Sequence, residues 1–203
     1  LNRPEVRNAM SLEMVCELQT ALAQAEGEGG VRAIVLRGAG GHFCSGGDIK
    51  DMAGARMRAM ARKDGEPDPI AEVNAAFGRL CVAYARTTIP VVAVAEGSVM
   101  GGGFGLACVS DVSLAAENVA FRLPETALGI IPAQIAPFLV ERLGYAEAKR
   151  LSVTGAKINA AEALTLRLVH EVHANTDELE GALQRTLASI LACGPQAIAT
   201  TKG

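Results

Sequence analysis

The chain has 203 residues, enough for a substantial core, and half of them are hydrophobic. Only 3% are aromatic and the net charge is −3, so the chain lacks the basic footprint and stacking surface that nucleic-acid binding needs. The five cysteines include no C-x-x-C pair, which fits free thiols in a reducing, cytoplasmic setting and argues against a disulfide framework or a zinc site; the apolar runs are also too short for a membrane span or a signal peptide.

Ser11 heads a helical run whose apolar residues Leu12, Val15, Leu18 and Leu22 share one face, and Gly27, Gly29 and Gly30 end it. Residues 31–36 read as a strand, followed by a glycine-rich loop over 38–47. A charged helical stretch after Asp48 leads to a polar loop over 62–69, and residues 70–86 read as a helix. Residues 90–95, opened by Pro90, read as a buried strand. A second glycine loop through Gly97 and Gly101 to Gly103 gives way to a short apolar helix ending near Cys108. Residues 112–115 and 119–123 read as two more strands, and the pattern turns helical after Pro132. Asn159 with Glu162 makes a capping-box start, and Thr176 is expected to cap the last helix.

Both ends read as cut. The chain opens without Met at Leu1-Asn2-Arg3-Pro4, read as the end of a strand, and stops at Thr201-Lys202-Gly203, after a helical pattern. With no internal repeat and no linker, residues 1–203 read as one domain. Strands alternating with helices place it in the α/β class.

Two loops stand out: Phe43-Cys44-Ser45-Gly46-Gly47-Asp48-Ile49-Lys50, and the segment from Glu96 through Gly101-Gly102-Gly103 to Gly105. Each follows a strand and opens a helix, so each brings backbone N–H groups to a helix N-terminus, where developing negative charge is favoured. A glycine cluster alone is more often a tight turn. Neither loop is a dinucleotide fingerprint, a P-loop or a nucleophile elbow.

The two loops in this order, with Pro124-Glu125 and Leu128-Gly129-Ile130-Ile131-Pro132, resemble the enoyl-CoA hydratase/isomerase family, the crotonases. Leu1-Asn2-Arg3-Pro4, Asn8-Ala9-Met10, Leu151-Thr154-Gly155, Ala160-Ala161-Glu162-Ala163 and Arg167-Leu168-Val169 extend the resemblance over nearly the whole chain, with Arg167 standing in a glycine-like place. It implies the ClpP/crotonase-like fold, in which repeated ββα units form a spiral core flanked by helices, assembled as a homotrimer or dimer of trimers. The implied substrate is an acyl-CoA thioester, with coenzyme A arriving as part of it and no other cofactor.

By the same resemblance the N–H groups of Gly47 and Gly102 form an oxyanion hole, Gly47, Asp48, Ile49 and Lys50 line the CoA side, and Glu125 is the acid/base. The chemistry agrees: an enolate oxygen is stabilised by preorganised N–H donors, and a partly buried carboxyl beside the α-carbon acquires a raised pKa.

Gly105 departs from the pattern, because hydratases with two catalytic glutamates carry the second one there. That glycine, with Ala133-Gln134-Ile135-Ala136-Pro137, resembles the branched-chain methylglutaconyl-CoA and isohexenylglutaconyl-CoA hydratases. The expected function is hydration of a branched 2-enoyl-CoA with one glutamate; the alternatives are double-bond isomerisation and non-catalytic acyl-CoA binding. A distal substrate carboxylate would need a donor, and Arg122 and Gln134 are the neighbours in sequence. His170 and His173 would point to opposite faces of a strand and not share a metal. Cys44 is expected inward as a small hydrophobe, Glu96 in a turn or ion pair, and the charged run over 56–63 on a solvated helix face.

Overall fold

The computed structural model describes residues 1–202. Ser11 accepts a hydrogen bond from the Met14 N–H at 3.1 Å and so caps α1 (Leu12–Gly27), whose Met14, Val15 and Leu22 are buried. Four strands form an all-parallel sheet in the order β1 (Ile34–Arg37), β2 (Val91–Ala95), β4 (Val112–Ala116), β7 (Glu171–His173). Every β2 residue is buried. Val91, Ala93 and Ala95 face the main core, while Val92 and Val94 face Leu179, Ala182 and Leu183 of α7 (Thr176–Ala192). A strand covered on both sides needs no polar alternation, which is why it reads as a continuous apolar run.

A second sheet holds β3 (Ser98–Met100), β5 (Ala120–Arg122) and β6 (Lys157–Asn159), with β3 and β5 parallel and β6 antiparallel. The chain thus repeats one unit: a strand in the large sheet, a strand in the small one, then a helix. The unit β2–β3 ends in α4 (Gly102–Val109), and β4–β5 in α5 (Ala136–Thr154). After β1 the second strand shrinks to a single bridge, Cys44 to Val99, before α2 (Ile49–Ala61). The repeat lives in the backbone and not in any self-similarity of residues. Helix α3 (Pro69–Arg86) packs on α1, α2 and α4. The two sheets share one core, in which the Phe104 and Phe121 rings lie 5.3 Å apart.

Several expectations need correction. Ser98–Met100 is a strand inside what reads as a glycine loop, because its pairing is tertiary. The first strand begins at Ile34, three residues late. Leu1 to Arg3 are not a strand, although the Leu1 ammonium donates to the Arg37 carbonyl at 2.7 Å. Asn175, extended at φ −145°, caps α7 by accepting from the Glu178 N–H; Thr176 is already the first helical residue. Nor is α7 the last helix, since α8 (Pro195–Lys202) follows. The capping box of Asn159 and Glu162 forms as read and opens α6 (Ala160–Thr165). Among the described residues no helix is long and apolar enough to cross a membrane.

Candidate active site

The small sheet aligns the two glycine loops. Cys44, Val99 and Phe121 lie in one row of it, and the Met100 N–H donates to the Cys44 carbonyl at 2.9 Å. Gly47 follows Cys44 by three residues, Gly102 follows Val99 by three, and Glu125 follows Phe121 by four. All three therefore leave the sheet at the same edge. The loops touch there: a Cβ placed on Gly101 would lie 3.7 Å from the Gly46 Cα. Neither Gly47 nor Gly102 donates its N–H to an acceptor among the described residues. Gly102 is the first residue of α4, so its N–H has no intrahelical partner, and the helix dipole adds positive character there.

Glu125 stands beside these donors. A Cβ on Gly101 would come within 2.9 Å of its Oε1. Gly101 also holds φ 49° and ψ −116°, a conformation side-chain-bearing residues rarely adopt, so the sequence needs glycine there on both counts. The Glu125 Oε2 is buried and accepts no hydrogen bond from the described residues. Burial raises the carboxyl above its ordinary pKa, opposed only in part by its own backbone N–H. A carboxyl raised by burial and without an ion pair holds a proton more readily than a free glutamate, which suits it to proton transfer.

The position of the second glutamate is closed. A side chain at Gly105 would overlap the Ile135 Cγ2 methyl, and its Cβ would stand 3.2 Å from the Ile135 Cβ and 3.7 Å from the Cys81 Sγ. The absence of a carboxyl at 105 thus extends to the space around it, which Ile135 fills. One turn earlier on α4, a Cβ at Gly102 would meet the Phe77 ring at 3.0 Å. Phe77 and Ile135 form an apolar wall along α4. Neither stands out in the sequence, because their role depends on how α3 and the segment before α5 pack.

At the end of the first loop, Gly47, Ile49 and Lys50 are exposed. The Asp48 carboxylate is turned inward: it caps α2 through the Lys50 N–H at 2.8 Å and pairs with Arg3 at 2.8 Å. Burial alone would raise its pKa, but the Arg3 and Lys50 hydrogen bonds outweigh that and hold it low. Met52 sits under the first loop, its sulfur 3.3 Å from where a Gly47 Cβ would be.

The remaining candidates are structural. Cys44 is fully buried, and burial pushes its thiol to about 11. Glu96 pairs with Arg37 at 3.0 Å. The His170 Nδ1 accepts from the Ser113 N–H, whereas the His173 Nε2 meets Glu171, and no group of metal-ligating residues converges among the described residues. The Arg122 Nε donates to the Gly155 carbonyl at the end of α5. Two surface cavities, about 350 and 400 Å³, lie respectively beside α8 and beside Arg142 and His170, and include none of Gly47, Gly102 or Glu125.

Comparison with known proteins agrees with this geometry. Residues 1–203 match the model of the enoyl-CoA hydratase/isomerase family. The enoyl-CoA hydratase EchA19 of Mycobacterium tuberculosis is 34% identical over 200 residues, covering 98% of this chain and 72% of that protein. A peroxisomal Delta(3,5)-Delta(2,4)-dienoyl-CoA isomerase of Arabidopsis thaliana is 29% identical over 208 residues, covering 100% of this chain and 74% of that protein. Among solved structures, Pseudomonas aeruginosa AtuE matches with a TM-score of 0.94 at 52% identity, over 100% of this chain and 76% of its own. An enoyl-CoA hydratase/isomerase from Marinobacter aquaeolei matches with a TM-score of 0.94 at 51% identity and the same coverage. Sequence and backbone agree along the whole chain, which belongs to the enoyl-CoA hydratase/isomerase family: it is an enzyme of the hydratase (lyase) type with the crotonase fold.

Proposed function

We propose that the enzyme adds water across the double bond of a branched, glutaconyl-type 2-enoyl-CoA, with Glu125 as its one proton-transferring carboxyl. The oxygen of water attacks C3, and the electrons of the C2=C3 bond move to the thioester carbonyl as an enolate. The N–H groups of Gly47 and Gly102 hold the charge on that oxygen, a form of stabilisation in which each donor contributes ~2.7–4 kcal/mol. Glu125 takes one proton from the attacking water and returns it to C2 as the enolate collapses. A C–O and a C–H bond form, the double bond becomes single, and Glu125 ends as it began. The CoA moiety runs along Gly47, Asp48, Ile49 and Lys50, with the Lys50 ammonium available to a phosphate; no other cofactor takes part.

The observation that carries this reading is the half-buried Glu125, its Oε2 buried and unpaired and its Oε1 packed against Gly101, with the other carboxyl position closed by Ile135. Exposed Leu128, Ile130 and Ile131, directly after Glu125, support assembly as a homotrimer or dimer of trimers, which would cover such a strip; sedimentation tests it.

A second reading is double-bond isomerisation, in which Glu125 takes a proton from C2 of a 3-enoyl-CoA, leaving a dienolate on the thioester oxygen, and returns it to C4 as the double bond moves to C2=C3. The single carboxyl suits it, and one relative is named as a dienoyl-CoA isomerase.

One experiment separates the readings. The enzyme is incubated in ¹⁸O-labelled water with straight-chain, β-methyl and methylglutaconyl 2-enoyl-CoAs and with a 3-enoyl-CoA. Hydration predicts label in the product and the highest kcat/KM for the methylglutaconyl ester. Glu125→Gln then loses about 10²–10⁴-fold in rate while still binding CoA esters. A shifted double bond without label supports the isomerase. Binding without turnover of any ester would overturn both and leave an acyl-CoA-binding protein.

A further inference from the structure

Gln134 occupies an unusual place. It precedes Ile135, the residue that closes the Gly105 position, and its side chain lies in a notch of α3. A Cβ at Gly78 would overlap the Gln134 Oε1 and stand 3.1 Å from its Cδ and 3.7 Å from its Cγ. Gly78 is buried and follows Phe77, whose ring lies over Gly102. Along one wall, then, stand Phe77 at Gly102, Gln134 at Gly78, and Ile135 between Gly105 and Cys81. Gln134 is the polar member of that wall.

The Gln134 amide forms no hydrogen bond with any protein group among the described residues. It is half-buried, so it is neither free in bulk solvent nor sealed in the core. Seating a long amide side chain in a glycine notch removes much of its rotamer freedom. An amide held this way, yet unpaired, is preorganised to bind something else. Arg122, the other donor nearby in sequence, is exposed and turns its Nε to the Gly155 carbonyl.

We propose that Gln134 determines acyl specificity: its amide N–H group hydrogen-bonds a carboxylate carried on the acyl chain, at the end remote from the thioester. This rests on the glutaconyl-type reading above and names the residue that would enforce it. The notch at Gly78 sets the orientation of the amide, and the wall of Phe77 and Ile135 takes the apolar part of the chain.

The test uses Gln134→Leu, which keeps the shape and removes the donor, and Gln134→Glu, which sets a like charge against the carboxylate. Each is assayed with methylglutaconyl-CoA and with crotonyl-CoA. Binding of the saturated esters glutaryl-CoA and butyryl-CoA is measured in parallel, with urea midpoints as a check on folding. Gln134→Leu should lower kcat/KM for the acid-bearing ester by about 10- to 100-fold, mainly through KM, and weaken glutaryl-CoA binding alike. Its crotonyl-CoA and butyryl-CoA values should stay within about twofold, and Gln134→Glu should lose more on the acid-bearing esters. Equal losses on both ester types, or no loss on either, would overturn the assignment while leaving the hydratase reading intact. A wild-type enzyme that hydrates crotonyl-CoA but not methylglutaconyl-CoA would instead overturn the substrate reading, and this assignment with it.

Discussion

The contact between Gly105 and Ile135 makes a quantitative prediction. Gly105→Ala puts a methyl group where the Ile135 Cγ2 already sits. Overpacking of this kind costs about 1–3 kcal/mol, while alanine in a helix interior recovers about 0.8–1.0 kcal/mol over glycine. The net expectation is a loss of about 0–2 kcal/mol. Ile135 is 3% exposed, so Ile135→Ala alone should cost about 2–5 kcal/mol. In the double variant the new methyl occupies space that Cγ2 has left. Its loss should fall short of the sum of the single losses by about 1 kcal/mol or more, within the range for contacting pairs. Urea unfolding of the four proteins measures this, and thermal melts should follow at about 2–4 °C per kcal/mol for a domain of this size. Losses that add to within about 0.3 kcal/mol would show that the two residues do not compete for space, and the explanation for the missing second carboxyl would fail. By the same reasoning Gly105→Glu alone should install no second catalytic group.

Glu125 should leave two marks on pH dependence. Its pKa is raised on folding, so the folded chain holds that proton more tightly than the unfolded one. The stability it contributes is complete below its ordinary value of 4.5 and is lost as pH rises through the higher folded value. Glu125→Gln should therefore gain stability relative to wild type as pH rises from about 4 to neutral; a difference that does not change with pH would contradict burial of the ionised group. In turnover, kcat/KM should fall on the acid side with an apparent pKa above 4.5, and the residual activity of Glu125→Gln should lack that limb. For the thiols, an aromatic disulfide reagent should label two of the five cysteines in the native enzyme, exposed Cys16 and Cys193. Buried Cys44, near 11, and Cys81 and Cys108, near 12, should react only after denaturation.

Much of the fold is readable from local pattern. Ser11, the pair Asn159 and Glu162, and the apolar run of β2 each carry their structure in a few adjacent residues. What is not readable is set by distant contacts. Ser98–Met100 becomes a strand only because Cys44 and Phe121 flank Val99. Asp48 looks like a ligand contact in its loop, but Arg3, far back in the chain, turns its carboxylate inward. The site follows the same division. Gly47, Gly102 and Glu125 stand out through their loops, and Gly105 through the carboxyl it lacks. Phe77, Gly78 and Ile135 look like ordinary helix and core residues, and only the packing of α3 on α4 shows them forming a wall. Arg167 takes φ 57° in the glycine-like place read from the sequence.

Gly102 offers the most direct test of the charge-stabilising donor. It is the first residue of α4, a position where a helix tolerates proline. Gly102→Ala adds a Cβ against Phe77 and keeps the N–H; Gly102→Pro adds the same Cβ and replaces the amide hydrogen with the ring Cδ. The ratio of their rates on an enoyl-CoA therefore sets aside the crowding at Phe77 and reports the exchange of the N–H donor for a ring carbon. If that N–H holds the enolate oxygen, the proline variant should be slower in kcat than the alanine variant by about 10²–10³-fold, with its fold unchanged by circular dichroism. Equal rates for the two variants would mean that the oxygen is held elsewhere.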